Sequence, residues 1–238
     1  MRLVVGVALG TVVGVTTPTD VAWGKAPIVV ELFTAQGCAS CRQANRLIAK
    51  IADRPGVIAL TWSVDYWDYL GWKDTFAQSA FTGRQKTYAR RVGPRDVYTP
   101  QVVVNGAAEA SGDDASDVEA LIRKAEHSRR RPPRIRLLAG GRVSVGNGPA
   151  GRATADVWLV RYDPREQSVT VTAGDNRGAT VVDRNVVRQF VRLGRWQGHA
   201  TSYRAPAADE KGLETAVLVQ DARGGPILAA ADGNARKP

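Results

Sequence analysis

The only two cysteines of the chain, Cys38 and Cys41, stand two residues apart where one apolar pattern gives way to another. Ile28-Val29-Val30-Glu31-Leu32-Phe33 reads as a strand running into Thr34-Ala35-Gln36-Gly37. After the pair, Ala44, Leu47, Ile48, Ile51 and Ala52 recur at three- and four-residue spacing. That places them on one helical face, with Arg42, Arg46 and Lys50 on the other. Strand, turn, CxxC, helix leaves few folds open, and it is the order in which such a pair carries redox chemistry. A thiolate, not a thiol, attacks a disulfide. Cys38 at the helix start would meet unpaired N–H groups and the positive dipole end, which favour negative charge. Such settings bring a cysteine pKa from ~8.5 into the range ~3.5–7.5. Cys41, one turn on, is then the shielded resolving thiol.

Two plainer uses of the pair compete with this one. A structural staple is weak at this spacing: a four-residue loop contributes about 2 kcal/mol in the chain-entropy picture, against ~4.7 for a hundred-residue loop. Half of a metal site is weaker still, because structural zinc takes about four protein ligands and the chain adds only His127 and His199. Neither a metal nor a cofactor is expected.

The segment 1–24 reads as a signal peptide. Met1-Arg2 gives a basic start, Leu3 to Val15 is an apolar run too short for the ~20 residues of a spanning helix, and Ala22-Trp23-Gly24 fits a small-x-small cleavage site. The competing reading is an uncleaved anchor. Either way the remainder is expected outside the cytoplasm, periplasmic or secreted, with no membrane contact after cleavage. In an oxidising compartment the pair rests as a disulfide. The net charge of +10, from 33 basic and 23 acidic residues, survives removal of Arg2 and Asp20.

Val57 to Val64 reads as a second strand, parallel to the first through a right-handed crossover. Ligands in such sheets sit at the carboxyl ends of the strands, so Asp65 and the loop it opens are expected beside Cys38. That loop, Asp65-Tyr66-Trp67-Asp68-Tyr69-Leu70-Gly71-Trp72-Lys73-Asp74, holds four aromatics in seven positions. It would either wall a groove that takes an extended peptide or apolar ligand, or simply cover the sheet edge. A helix over Phe76 to Arg91 follows. Val97 to Val104 leads through Pro100 to Asn105-Gly106, a hairpin turn. Asp113 or Asp114 then caps a helix running to about Arg129.

The order β-α-β, α, β-β-α resembles the thioredoxin fold, in which a cis-proline precedes the third strand and faces the CxxC. Pro100, preceded by Thr99, stands where that proline would be. A narrower match runs through Glu31-Leu32-Phe33-Thr34, Gln36-Gly37-Cys38, Ser40-Cys41, Val64-Asp65-Tyr66-Trp67-Asp68, Leu70-Gly71-Trp72-Lys73-Asp74 and Tyr98-Thr99-Pro100-Gln101. These resemble an uncharacterised family of secreted bacterial thioredoxin-like proteins catalogued as a domain of unknown function. The likeness continues at Asn185-Val186-Val187-Arg188, Leu193-Gly194-Arg195-Trp196 and Gly225-Pro226-Ile227-Leu228. Arg42 stands where that family usually has proline, and Ser63 where it usually has histidine. The resemblance also implies a role for Glu31, since thioredoxin carries a buried acid on this strand that accepts a proton from the resolving cysteine. The alternative for Glu31 is a solvent-facing or strand-end position.

Ser128-Arg129-Arg130-Arg131-Pro132-Pro133-Arg134 marks a linker, read as a solvated hinge rather than a nucleic-acid surface. Beyond it, Arg134 to Leu138, Arg142 to Val145, Ala155 to Arg161, Ser168 to Thr172, Arg188 to Val191 and Thr215 to Gln220 read as strands between turn signals, the spacing of a β-sandwich or open barrel. Gly174-Asp175-Asn176-Arg177-Gly178 lacks the Lys-Ser/Thr of a phosphate loop.

The expected fold is therefore an α/β thioredoxin-like domain with CxxC over 25–131, carrying an aromatic loop and helix insertion at 65–96, followed by a mostly-β, sandwich-like domain over 132–238. The expected function is thiol–disulfide exchange through Cys38 and Cys41, with Glu31 as proton acceptor. Thr99, Pro100, Asp65, Tyr66 and Trp67 would line the groove for an exported protein or small-thiol substrate, and a redox partner would be needed. The alternative is a non-catalytic binding or assembly module whose CxxC disulfide is structural.

Overall fold

A computed structural model describes residues 26–93, 96–128, 132–149 and 154–233. The expected leader and Arg129 to Arg131 of the expected linker lie outside the described residues.

Strand β1 (Ile28–Thr34) leads through the CxxC turn to helix α1 (Cys41–Ala52). Strand β2 (Val57–Ser63) returns parallel to β1, Ile28 beside Val57 and Thr34 beside Ser63. All seven residues of β1 are buried, as expected of a strand with neighbours on both edges and cover on both faces. Helix α2 (Ser79–Ala89) is shorter than the expected Phe76 to Arg91, and its inner face is mixed: Thr82, Arg84 and Gln85 are buried beside Phe81 and Tyr88. Strands β3 (Gln101–Val104) and β4 (Ala108–Ser111) pair about Asn105 and Gly106, whose φ of 50° and 61° are the left-handed values a two-residue turn requires. Helix α3 (Ala115–Glu126) starts at Asp114, whose carboxylate accepts the Ser116 and Asp117 N–H groups.

Nine further strands follow among the described residues: β5 (Ile135–Leu138), β6 (Arg142–Val145), β7 (Ala155–Asp163), β8 (Gln167–Thr170), β9 (Thr180–Asp183), β10 (Val186–Trp196), β11 (Thr201–Arg204), β12 (Glu214–Asp221) and β13 (Ile227–Asp232).

These strands overturn the expected fold class. Among the described residues no α/β thioredoxin-like domain stands beside a β-sandwich-like one. The described residues are strand-dominated, with three α-helices, and strands of both halves build one eight-stranded mixed sheet in the order β13-β12-β7-β10-β2-β1-β3-β4. The joint is at the edge of β2, where Val186 pairs with Thr61. The Thr61 N–H donates to Asn185 O at 3.0 Å, and Asn185 Nδ2 donates to Ala59 O at 2.8 Å. The physical reason is the open edge. In the β-α-β pattern alone, β2 has a partner on one side only, and an unpaired apolar edge is a liability that another strand removes. Nothing local in residues 57–63 announces that the strand taking this edge lies more than 120 positions away.

The core follows the same continuity. On one face α2 sets Phe81 and Tyr88 against Phe33, Leu60 and Trp62, in one buried cluster with Val160 and Leu218 from β7 and β12. On the other face α1 and α3 pack Ile48, Ile51, Val118 and Ile122 on Val30, Leu32, Ala59 and Val102. Further along that side, the small sheet β11-β6-β5 closes over Val157, Leu159, Val217 and Val219.

Candidate functional site

Strand β1 ends at Thr34, whose carbonyl accepts the Val64 N–H at 2.9 Å, so the chain must turn at Ala35-Gln36-Gly37. The Cys38 N–H then bonds Ala35 O and the Cys41 N–H bonds Cys38 O, winding the pair into a turn that opens α1 at Cys41. Cys38 and Cys41 form a disulfide, with Cα atoms 5.4 Å apart. A closed pair is the state an oxidising compartment favours. Both cysteines are sealed, at 1% and 0% exposure, while Ala39 and Ser40 between them are exposed. Cys38 thus precedes the helix and is covered, where the sequence suggested an attacking thiol at the helix start.

Three other segments hold this turn. The aromatic loop grips it through Gln36: Asp74 Oδ2 accepts the Gln36 N–H at 2.7 Å, and Gln36 Oε1 accepts Trp72 Nε1–H at 2.9 Å. Trp67 packs on Gly37, where an added Cβ would lie 3.6 Å from the Trp67 Cβ, and its Nε1–H donates to Thr99 Oγ1 at 2.8 Å. That bond ties the loop to the Thr99–Pro100 segment, whose peptide bond is cis. Pro100 is buried, and Gly112 lies so close that a Cβ there would come within 3.0 Å of both Pro100 and Ala44 of α1. The third segment comes from the second half: Asn176 Nδ2 donates to both Gln36 O and Cys38 O at 2.9 Å.

Asp65 and Tyr66 take different positions in the loop. Asp65 accepts the Thr82 hydroxyl at 2.6 Å and its own N–H donates back to it, so it anchors the loop to α2. Tyr66 packs against the cluster that contains both cysteines, and burial pushes its phenol up to about 12.

Besides Asp74, the buried acids Glu31 and Asp183 are held in different ways. Glu31 is fully buried, and its oxygens are taken by Arg84 at 2.7 and 3.0 Å and by the Tyr88 hydroxyl. Arg84 and Tyr88 thus occupy both of its oxygens. Asp183, at the end of β9, is different. Its Oδ1 accepts Asn45 Nδ2–H at 2.6 Å, and Asn45 Oδ1 accepts the Thr34 hydroxyl at 2.8 Å. Its Oδ2 is buried with no hydrogen-bond partner. Burial, reinforced by the neighbouring Asp74 charge and opposed by the Asn45 bond, pushes its carboxyl up to about 7. Burial also raises Asp74, against its bonds from the Gln36 and Phe76 N–H groups. Asn45 lies one turn after Cys41, so Asp183 reaches the CxxC helix through Asn45. Neither Asn176 nor Asp183 was foreseen. The first sits in a turn notable only for its glycines, and the second ends an ordinary alternating strand.

No helix among the described residues is long and apolar enough to cross a membrane. No curated protein matches the chain. Solved structures similar to the chain include the following two. An X-ray crystal structure of a protein from Agrobacterium tumefaciens shares 32% identity over 91% of this chain and 98% of its own, with a TM-score of 0.71. HBP35 of Porphyromonas gingivalis shares 10% identity over 90% of this chain and 76% of its own, with a TM-score of 0.57, a likeness of fold alone. The sequence profile of a protein family of unknown function, DUF1223, matches residues 29–220. That span takes in the CxxC turn, the aromatic loop, Thr99-Pro100, Asn176 and Asp183 together, and with them the chain belongs to the DUF1223 family.

Proposed function

We propose that the protein is an exported thiol–disulfide exchange protein acting through Cys38 and Cys41 on a dithiol protein or a small thiol. The observation that carries this reading is the placement of the disulfide. It closes a ring of four residues between strand and helix, where it contributes only about 2 kcal/mol of loop-closure stability. Yet Asp74, Asn176, Trp67 and Trp72 converge on that one turn from two distant segments. In the reaction, a substrate thiolate attacks Cys38 Sγ, the Cys38–Cys41 bond breaks and Cys41 leaves as a thiolate that takes up a proton. The second substrate thiol loses its proton and attacks the substrate sulfur of the mixed disulfide, releasing Cys38. The substrate dithiol is oxidised to a disulfide, and the protein gains two electrons and two protons. Asp183, able to hold a proton near neutral pH on the flank of the same helix, suits the proton transfer. The test is purified protein mixed with a scrambled, disulfide-rich substrate and glutathione. Native pairing should return faster than with the Cys38→Ser, Cys41→Ser double variant, and equal rates would sink the proposal.

The burial of both sulfurs favours a second reading, a binding module whose disulfide rigidifies the aromatic loop. The Cys38 pKa in the reduced protein separates the two: a value near the free-thiol ~8.5 belongs to the binding module, a depressed one to exchange.

A further inference from the structure

The sheet face under α2 carries a feature that the disulfide chemistry leaves unused. Between α2 and strands β7 and β10 lies a cleft of about 220 Å³, which passes Thr87 and Trp158 into a wider mouth of about 490 Å³. Small-molecule sites usually run roughly 300–1,000 Å³. One wall is an aromatic stack. The half-buried rings of Trp158 and Phe190 lie 4.3 Å apart at 16°, and the Arg84 guanidinium sits 4.9 Å from the Phe190 centroid. Arg84 itself is neutralised by Glu31, so it stiffens the stack rather than offering a charge.

The helical wall is low. Gly83 is exposed in the middle of α2, its φ is not left-handed, and a Cβ there would meet no atom within 4 Å. An interior helical glycine is less favourable than alanine at the same position. Neither backbone conformation nor packing requires it at this position, and what it does is leave the cleft open. The mouth is basic, with Arg90, Arg91 and Arg223 exposed along it. Arg91 Nε donates to Arg223 O at 3.1 Å, which joins the end of α2 to the turn after β12. Of the nearby acids, Asp156 is engaged by Arg192, and Asp221 lies on the inner cleft.

We propose that this cleft binds a small anionic aromatic molecule. Its ring extends the Trp158–Phe190 stack beside Gly83, and its carboxylate or phosphate faces Arg90, Arg91 and Arg223. Flat rings add to offset aromatic stacks, and an exposed arginine group attracts an anion in a salt-screened way, so the ring supplies placement and the charge supplies selection. The proposal stands independently of the redox reading.

Phenyl phosphate is the probe, followed by calorimetry and by the indole N–H signal of Trp158, assigned with Trp158→Phe. Binding should saturate, shift that signal and weaken as salt is added. It should weaken by about tenfold or more in Gly83→Leu, which fills the cleft, and in Arg90→Glu, Arg223→Glu, which reverses the mouth. Gly83→Leu places a better helix former at an exposed position facing open space, so it should fold, and circular dichroism checks that it does. Three results would each overturn the proposal: no saturation at millimolar phenyl phosphate, equal affinity for inorganic phosphate, or unchanged affinity in a folded Gly83→Leu variant.

Discussion

Glu31 and Asp183 are both sealed from water, and they meet the cost of burial in opposite ways. Glu31 has a charged partner: Arg84 lies against it, and Tyr88 and Gln220 complete the arrangement. Asp183 has a neutral amide on one oxygen and nothing on the other, with Asp74 close enough to oppose a second negative charge. Its carboxyl therefore stays protonated to about pH 7 in the folded chain, against an ordinary 3.8. Between these values the folded chain holds a proton that the unfolded chain releases. Stability should fall as pH rises through that window and level off above it, by on the order of 4 kcal/mol from this group. Asp183→Asn keeps an acceptor for Asn45 and removes the titration. Urea unfolding from pH 4 to 8 should show the variant without this decline and more stable than the parent at pH 8. Parallel curves for the two proteins would show that Asp183 is already ionised at low pH.

At the scale of elements, the aromatic loop and the CxxC turn form one unit. Trp67 lies against the turn at Gly37, and its indole bonded to Thr99 closes that side of the disulfide. Trp67→Ala removes both the packing and the bond. The disulfide should then be reduced severalfold faster by dithiothreitol, read as loss of the Cys38–Cys41 bond over time. An unchanged rate would show that access to the sulfurs does not run past this ring. Much of this unit was legible in sequence, because it depends on local order: a strand entering CxxC, a second strand parallel to it, aromatics after that strand, Thr-Pro before the next. The hidden members come from the other half. Asn176 reaches Cys38 O across 138 positions, and Asp183 reaches Asn45 across the same distance. Neither segment has a composition that marks it, since any turn of Gly, Asp and Asn looks alike until the fold brings one of them to the site. Glu31 is a related case. A carboxyl in an apolar strand signals a special role, and only the fold shows that Arg84 on α2 pairs with it.

The whole molecule turns on a strand edge. Local patterns suggested most of the strands, though not β9, β11 or β13, and they suggested two separate bodies, because pairing partners in a mixed sheet leave no trace in the residues themselves. In the structure β10 docks on β2, and the cluster around Phe33 and Trp62 is completed by Val160, Tyr162, Val187, Ala216 and Leu218. Trp62 meets Phe190 edge-on at 5.1 Å, and Gln220 bonds both Arg84 and Tyr88. A fragment ending at residue 131 would lose all of these at once. The β2 edge would be bare, large aromatic rings would face water, and the Arg84 donors and Tyr88 hydroxyl would lose a buried partner. An exposed apolar patch and an unpaired edge both drive association. The fragment 26–131 should therefore bind a hydrophobic dye and unfold without a cooperative transition, while the protein spanning 26–238 unfolds in one step. A fragment that melts cooperatively near the temperature of the longer protein would mean that the first half closes its own core, and that β10 adds to a sheet already complete without it.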